Sequence, residues 1–176
     1  MKILVIFGTR PEAIKLAPLI HRLKTSFDVK VLSSGQHIEL IGQVIDFFKI
    51  KPDYNFACMK DKPDLESLYE CTLSTMKTVI HQENPDAIIV QGDTITTFSG
   101  AFLGFMLKKP VLHVEAGLRT FKSFSPFPEE MLRMLASRIA TFHFAPTSQA
   151  LENLVAEGIK RDRILVTGNT VVKATC

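Results

Sequence analysis

The sequence has few of the features that mark nucleic-acid-binding or membrane proteins. Lys and Arg number 21 against 18 Asp and Glu, which gives a net charge of +3, whereas a nucleic-acid-binding domain is expected to carry a clustered basic stripe. No apolar run approaches the roughly 20 residues that span a bilayer. The apolar run near Met1 ends at Gly8, which favours a buried first strand over a signal peptide. We predict neither a nucleic-acid partner nor a membrane partner.

Cysteine is also scarce, and its spacing fits neither a zinc site nor a redox motif. Cys58, Cys71 and Cys176 are the only cysteines, and no two of them form a CxxC pair. An odd number of cysteines without such a pair favours reduced thiols in the cytoplasm. The sequence therefore predicts a cytoplasmic protein with no metal site.

Short apolar runs alternate with longer helical patterns along the 176 residues. The strands are predicted at 3–7, 29–33, 87–91, 111–115, 142–145 and 164–167. The helices are predicted at 11–24, 38–48, 65–82, 94–107, 128–140 and 148–157. Strands that are apolar almost throughout are typical of parallel sheets covered by helices on both faces. The pattern predicts an α/β fold with a doubly wound, mostly parallel, Rossmann-like sheet.

Glycines and polar residues follow the predicted strands, on the edge where open parallel sheets bind ligands. The segment Gly8-Thr9-Arg10-Pro11 begins a helix, and backbone donors with a guanidinium at that position suit a diphosphate. The segment is neither a Walker A loop nor GxGxxG, so the sequence indicates neither an ATPase nor an NAD site. A plain strand-to-helix turn is the alternative interpretation.

Two carboxylates stand at strand ends on this edge. Asp93 either caps the following helix or serves the site. Glu115 ends a buried strand and needs a partner there, so it either forms a structural ion pair with Arg119 or Arg133, or acts chemically.

Further acidic and histidine residues extend the candidate site. Glu129 and Glu130 open a helix, where acidic residues often only complement the helix dipole. Three carboxylates in one cleft would shift each other's pKa values apart and supply an acid and a base. His37 lies on a loop at the predicted rim, whereas His113 lies within a strand and is predicted to be core.

Six motifs in order resemble one known family. They are FGTRPEAIKLAPL at 7–19, GQH at 35–37, GDT at 92–94, HVEAGLRT at 113–120, SPFPEE at 125–130 and TGNTV at 167–171. Together they resemble the non-hydrolysing UDP-N-acetylglucosamine (UDP-GlcNAc) 2-epimerases. The resemblance implies a GT-B-type enzyme of two Rossmann-like domains with the active site between them. Residues 1–170 would form the N-terminal domain, and 171–176 would begin the connection to a C-terminal domain, carried on a separate chain or missing.

The resemblance also implies an activity. Members of this family invert C2 of UDP-GlcNAc to give UDP-N-acetylmannosamine (UDP-ManNAc), through elimination of UDP to 2-acetamidoglucal and its re-addition. The family needs no cofactor, supplies surface-polysaccharide synthesis and tends to dimerise through its N-terminal domain. We therefore expect a UDP-sugar substrate, a homodimer, and little or no activity of these 176 residues alone.

Residue by residue, the resemblance implies a site. The catalytic residues would be Asp93, Glu115, Glu129 and Arg133, and the substrate-binding residues would be Arg10, Lys15, Gln36, His37 and Arg119. Three positions depart from the family pattern. Leu132 stands where Asn precedes the arginine, and Ile38 stands where Arg or Tyr follows GQH. Cys71 lies on the helix that is expected to supply an Arg to the site of a second, activating UDP-GlcNAc.

Three alternatives to this function stay open. A hydrolysing 2-epimerase, which releases UDP and free ManNAc, is disfavoured by Thr94, because that branch usually has Arg there. An epimerase of a UDP-diacetamido-uronic acid is a second alternative, although RPEAIK and SPFPEE are closer to the GlcNAc branch. A non-catalytic remnant that binds nucleotide sugars weakly is the third.

Overall fold

The computed structural model describes residues 1–35, 38–58 and 64–170, and not the side chains of 38–41. Its strands are β1 (Lys2–Phe7), β2 (Asp28–Ser33), β3 (Tyr54–Asn55), β4 (Ala87–Gln91), β5 (Val111–Val114), β6 (Phe142–Ala145) and β7 (Ile164–Val166). Its helices are α1 (Arg10–Lys24), α2 (Ile38–Phe47), α3 (Leu65–Glu83), α4 (Ile95–Met106), α5 (Glu129–Ile139) and α6 (Ser148–Ala156), with a short 3-10 helix at Arg161–Arg163. The last residues, 171–176, lie outside the described residues.

All seven strands form one parallel sheet in the order β3-β2-β1-β4-β5-β6-β7. The predicted doubly wound parallel α/β fold is confirmed. The strand order reverses direction between β1 and β4, and ligands in such sheets bind in the crevice beyond the carboxyl ends at this switch point.

The core lies on both faces of β1, whose residues alternate between two apolar layers. Ile3, Val5 and Phe7 pack in the cluster formed with α1. Leu4 and Ile6 pack in the cluster that includes α3 and α4 on the opposite face. Because both faces are covered, the strand sequence is apolar throughout, which explains why it was predictable.

The predicted elements match the observed ones to within two residues at each end, but their caps differ. Thr94 caps α4 by accepting a hydrogen bond from the Thr97 amide at 3.2 Å, which is contrary to the capping role that was one of two alternatives for Asp93. Asp93 instead forms an ion pair with Arg133. Strand β3 was missed because two residues carry no recognisable apolar pattern.

The prediction of reduced thiols is wrong for two of the three cysteines. Cys58, which follows β3, forms a disulfide with Cys71 on α3, and their Cα atoms lie 5.6 Å apart. Pairing depends on how α3 packs beside β3, and sequence spacing carries no information about that contact. Cys176 lies outside the described residues.

No helix within the described ranges is long and apolar enough to cross a membrane. In the same part of the chain, no three His, Cys, Asp or Glu side chains are grouped so as to hold a metal ion.

Candidate functional site

A cavity of about 310 Å³ opens at the switch point of the sheet, beyond the carboxyl ends of β1, β4 and β5. Charged and hydroxyl side chains from α1, the turn after β4, the end of β5 and helix α5 contribute to its wall, among them Glu12, Lys15, Asp93, Thr94, Glu115 and Arg133. The structure thus brings together four of the nine predicted site residues.

Glu115 sits at the end of β5 and is held by two donors. Lys15 Nζ and Gln91 Nε2 each lie 2.5 Å from Glu115 Oε2. The backbone of Glu115 has φ 60°, a left-handed conformation that non-glycine residues seldom adopt. The expected ion pair therefore exists, but its partner is Lys15 rather than Arg119 or Arg133.

Asp93 lies on the turn after β4 and pairs with helix α5. Arg133 Nη2 is 2.5 Å from Asp93 Oδ2, and Arg133 Nη1 is 3.5 Å from the buried carboxylate of Glu130. Burial raises the pKa of Asp93, the Arg133 guanidinium opposes that shift, and the carboxylates of Glu129 and Glu115 add to it. Asp93 thus lies among cations and carboxylates in an environment that favours uptake of a proton.

The two acidic residues that open α5 have different environments. Glu130 is fully buried and accepts hydrogen bonds from the amides of Thr120 and Phe121, each at 2.9 Å. Glu129 is half-buried, and its carboxylate has no ion pair or hydrogen bond to any described residue, but its charge acts on Asp93. Glu130 therefore fixes the preceding loop, whereas Glu129 keeps a carboxylate available near Asp93.

Glu12 is a buried carboxylate of the site that our sequence interpretation missed. Its Oε2 accepts hydrogen bonds from the amides of Gly8 and Thr9 at 2.8 and 2.7 Å. Its Oε1 accepts hydrogen bonds from the hydroxyls of Thr94 and Thr97 at 2.6 and 3.1 Å. Burial raises the pKa of Glu12, and these hydrogen bonds oppose the rise. The carboxylate joins the turn after β1 to the turn after β4.

This network contradicts one part of the prediction for the Gly8–Pro11 segment. The amides of Gly8 and Thr9, which were expected to bind a diphosphate, already donate to Glu12. An internal carboxylate therefore occupies the anion position at the start of α1. The sequence did contain a signal, because Thr9 and Glu12 have the spacing of a capping box.

The other predicted residues lie elsewhere. Arg10 is exposed at the start of α1 and does not line the cavity. The guanidinium of Arg119 is buried and donates to Glu157, with 2.6 Å between Nε and Oε1, and to Ser137 Oγ at 3.0 Å. Gln36 and His37 lie outside the described residues.

His113 is a core residue, as predicted. Its ring is fully buried, and Nε2 lies 2.7 Å from the carbonyl oxygen of Gly92, the residue before Asp93. Burial lowers the pKa of His113 to about 4. A neutral ring of this kind supports the turn that carries Asp93.

The arrangement is suited to proton transfer beside a negatively charged ligand. Two carboxylates, Asp93 and Glu115, each have a cationic partner in one cavity. Burial raises the pKa of Asp93, the direction that suits a group which takes up and releases a proton.

The sequence and the fold both have known relatives. Residues 21–175 match the family model described as UDP-N-acetylglucosamine 2-epimerase. The UDP-N-acetylglucosamine 2-epimerase of Salmonella borreze is 48% identical over 175 residues, which cover 98% of this chain and 46% of that protein.

Solved structures agree with the sequence matches. The UDP-GlcNAc 2-epimerase of Neisseria meningitidis, solved bound to UDP-GlcNAc, superposes with a TM-score of 0.96 at 44% identity. The match covers 99% of this chain and 47% of the Neisseria chain. The galactosyltransferase WaaB superposes at 16% identity with a TM-score of 0.69, a likeness of fold alone.

The chain spans about half the length of the relatives it matches. Its sheet corresponds to one half of a GT-B-type structure, as the sequence predicts. With a family match over residues 21–175 and a common fold, the chain belongs to the UDP-N-acetylglucosamine 2-epimerase family.

Proposed function

We propose that this chain is one half of an enzyme that interconverts UDP-GlcNAc and UDP-ManNAc by inverting C2. The other half corresponds to the part of the relatives that this chain does not span. The observation that carries the proposal is the pairing of Asp93 with Arg133 and of Glu115 with Lys15 in one cavity at the switch point. Epimerisation at an unactivated carbon needs groups that exchange a proton with it, and carboxylates in different environments meet that need.

The proposed chemistry is an elimination followed by an addition. A carboxylate takes the proton from C2, the C–H electron pair forms a C1–C2 double bond, and the bond from C1 to the UDP oxygen breaks. The products are 2-acetamidoglucal and UDP. In the reverse sense, a carboxylic acid gives a proton to the opposite face of C2 while the UDP oxygen adds to C1. No net oxidation occurs, so the sequence of steps requires no nicotinamide.

Asp93, Glu115 and Glu129 are the proposed proton-transfer and charge-stabilising residues. The raised pKa of Asp93 supports it as a group that takes up and releases a proton. The carboxylate of Glu115, fixed by Lys15 and Gln91, is suited to stabilising positive charge that develops at C1. Glu129 supplies a further carboxylate beside Asp93.

The cations are proposed to bind the negatively charged part of the substrate. Lys15 and Arg133 line the cavity and are partly exposed within it, so both can meet a diphosphate that enters. The proposed binding set is completed by Arg10, Gln36, His37 and Arg119. Arg119 already donates to Glu157 and Ser137, so we propose that it positions neighbouring parts of the site and does not contact the substrate itself.

The chain spans about half the length of its relatives, which supports a site completed by a second domain. We propose that residues 1–170 form the N-terminal domain and that 171–176 lead towards the C-terminal one. We further propose that the chain alone has little or no epimerase activity and that the complete protein is a homodimer, which light scattering of the complete protein tests.

The test is a chimera of this chain with the C-terminal half of the Neisseria meningitidis relative. Formation of UDP-ManNAc from UDP-GlcNAc is followed by nuclear magnetic resonance in D₂O, since transfer of a solvent proton labels C2 with deuterium. We expect labelled UDP-ManNAc from the chimera and none from the chain alone. A folded chimera that binds UDP-GlcNAc without turnover would show a non-catalytic remnant, and release of free ManNAc would show a hydrolysing enzyme.

Substitutions in the chimera test the residues. Asp93→Asn, Glu115→Gln and Glu129→Gln are each expected to lower kcat by roughly a hundredfold or more, as loss of a general acid or base does. Glu152→Gln is the matched control, because Glu152 is an exposed carboxylate on α6. A kcat for all three variants within twofold of this control would contradict the proposed roles.

A further inference from the structure

The Cys58–Cys71 disulfide is a covalent link between the segment after β3 and helix α3. Cys58 follows β3 and is 5% exposed, whereas Cys71 lies on α3 and is half-buried. Around the pair, Leu68 and Ile95 form a small apolar cluster. The disulfide therefore links the segment after β3 to α3. Ile95, the first residue of α4, belongs to the apolar cluster around it.

The segment before the cross-link rests on the turn after β2. The Phe56 amide donates to Ser33 O at 2.9 Å, and the Cys58 amide donates to Ser34 O at 3.3 Å. A Cβ on Gly35, which has φ 66°, would lie only 1.6 Å from Phe56 O, so the two backbones are in direct contact. Because of these backbone contacts, the position of the turn after β2 depends on the position of Cys58.

The turn is in contact with the switch-point site. Ser34 Oγ lies 2.8 Å from Thr96 Oγ1 in the first turn of α4. Thr94, the cap of that helix, lines the cavity and donates to Glu12. A chain of direct contacts therefore leads from the disulfide to the cavity wall.

The two sulfur atoms differ in their surroundings. Thiol–disulfide exchange proceeds by attack of a thiolate on one sulfur, with the other leaving as a thiolate. Cys71 is the more accessible residue, so it is the sulfur that a small thiol can reach. With the disulfide formed, the Thr75 hydroxyl donates to Cys71 O at 2.8 Å, and its Oγ1 lies 3.8 Å from Cys58 Sγ. A hydroxyl that rotates to donate to a thiolate at that sulfur stabilises it. Attack on Cys71 therefore makes Cys58, which lies beside Thr75, the leaving group.

We propose that Cys58 and Cys71 form a reversible redox site that exchanges with low-molecular-weight thiols and disulfides. In reduction, a thiolate attacks Cys71 Sγ, the bond between the cysteines breaks, and Cys58 leaves as a thiolate. A second thiolate attacks the mixed disulfide on Cys71, releasing a small-molecule disulfide and the Cys71 thiolate. Two electrons pass from the small thiols to the protein, and oxidation by a small disulfide reverses both steps. Reduction removes the covalent link between the 56–58 segment and α3, so that hydrogen bonds and packing alone hold this segment against the turn after β2. The proposed thiol–disulfide exchange does not rest on the proposed epimerase activity.

The first experiment measures thiols and backbone exchange in the Cys176→Ser variant, which keeps only the two cysteines of the pair. Glutathione buffers of varied ratio set the redox state, and alkylation with mass spectrometry counts free thiols. We expect the count to change from none to two across the series. Thiols that stay free at every ratio, or a disulfide that persists in reduced glutathione alone, would overturn the proposal.

In the same samples, amide hydrogen exchange reports the tether. The Phe56 and Cys58 amides are expected to exchange at least about tenfold faster once the disulfide is reduced, because a cross-link limits local opening. The Ile88 amide, bonded to Pro110 O at 2.9 Å in the central sheet, is the internal control. Equal exchange at Phe56 and Cys58 in both redox states would show that the cross-link does not hold the turn.

The second experiment tests the assignment of the leaving group. Thr75→Val is expected to slow reduction by glutathione by roughly fivefold, since it removes the hydroxyl beside Cys58. Thr78→Val is the matched control, because Thr78 makes the same type of bond back along α3, to Ser74 O at 3.1 Å, on an exposed position. Identical rates for the two variants would overturn the role of Thr75.

Discussion

The ammonium group of Lys15 lies 2.5 Å from Oε2 of Glu115 and so joins α1 to the end of β5 across the intervening strand β4. The side chains are only 23% and 13% exposed. Partial burial weakens solvent screening, so each charge depends on the other. The pair also fixes Glu115 at a position where the backbone is left-handed.

A double-mutant cycle measures this dependence. We expect Lys15→Met and Glu115→Gln to show a coupling of about 1–3 kcal/mol in the free energy of unfolding, from urea titrations followed by circular dichroism. The cycle for Arg161→Met and Glu152→Gln is the control, since that pair is 3.2 Å apart but 68% and 55% exposed, and exposed pairs contribute up to about 1 kcal/mol. A coupling for Lys15 and Glu115 no larger than that of the exposed pair would contradict the interpretation.

Replacement of Glu12 by Gln should destabilise the fold. The NH₂ group of the new glutamine side chain would face backbone amides and a hydroxyl that now donate to the carboxylate of Glu12, so donors would face donors. We expect a loss of roughly 2–4 kcal/mol in the free energy of unfolding, as for a broken buried network. Glu66→Gln is the control, because Glu66 is also in the first turn of a helix but is exposed. A loss for Glu12→Gln within about 0.5 kcal/mol of the control would refute the role assigned to Glu12.

Most of the fold could be predicted from the sequence because its strands are buried on both faces. The run from Ile3 to Phe7 is apolar at every position since both layers of helices cover it. Strand β3 lacked such a run, and its identity rests on backbone pairing of Leu32 with Tyr54 and of Ser33 with Asn55. Pairing of that kind leaves no pattern in a two-residue strand.

The site could be predicted in part for a related reason. Parallel strands end at one edge, so Asp93 and Glu115 were expected to lie near each other, and both line the cavity. The partners of these residues were not predictable, because they depend on side-chain directions. Lys15 rather than an arginine pairs with Glu115, and Arg119 turns towards Glu157.

The pairing of Asp93 with Arg133 gives a prediction about proton affinity. Burial raises the pKa of Asp93, and Arg133 is the cation that most opposes this shift. Arg133→Met should therefore raise the pKa of Asp93 further, measured by ¹³C shifts of the carboxyl carbon as a function of pH. Arg138→Met, an exposed change on the same helix, is the control. A pKa of Asp93 that falls or stays constant in Arg133→Met would contradict the ion pair.

Two buried histidines should make the stability depend on pH. Burial lowers the pKa of His113 and of His143 to about 4, whereas an unfolded chain has values near 6.5. Between about pH 6.5 and pH 4 the unfolded chain binds protons that the folded chain does not. The contribution of these histidines to the free energy of unfolding is therefore fully present above pH 6.5 and is lost as the pH is lowered, by roughly 1–3 kcal/mol for each histidine.

His143→Leu tests this effect with least disturbance, because neither ring nitrogen of His143 has a hydrogen-bond partner among the described residues. We expect the variant to lose less stability than the parent between pH 7 and pH 4.5 in urea titrations. The raised pKa values of Asp93 and Glu12 act in the opposite direction, but these carboxyls are common to both proteins. His81→Gln removes an exposed imidazole and serves as the matched control. If the slopes for His143→Leu and His81→Gln coincide, the buried ring is not the source of the pH dependence.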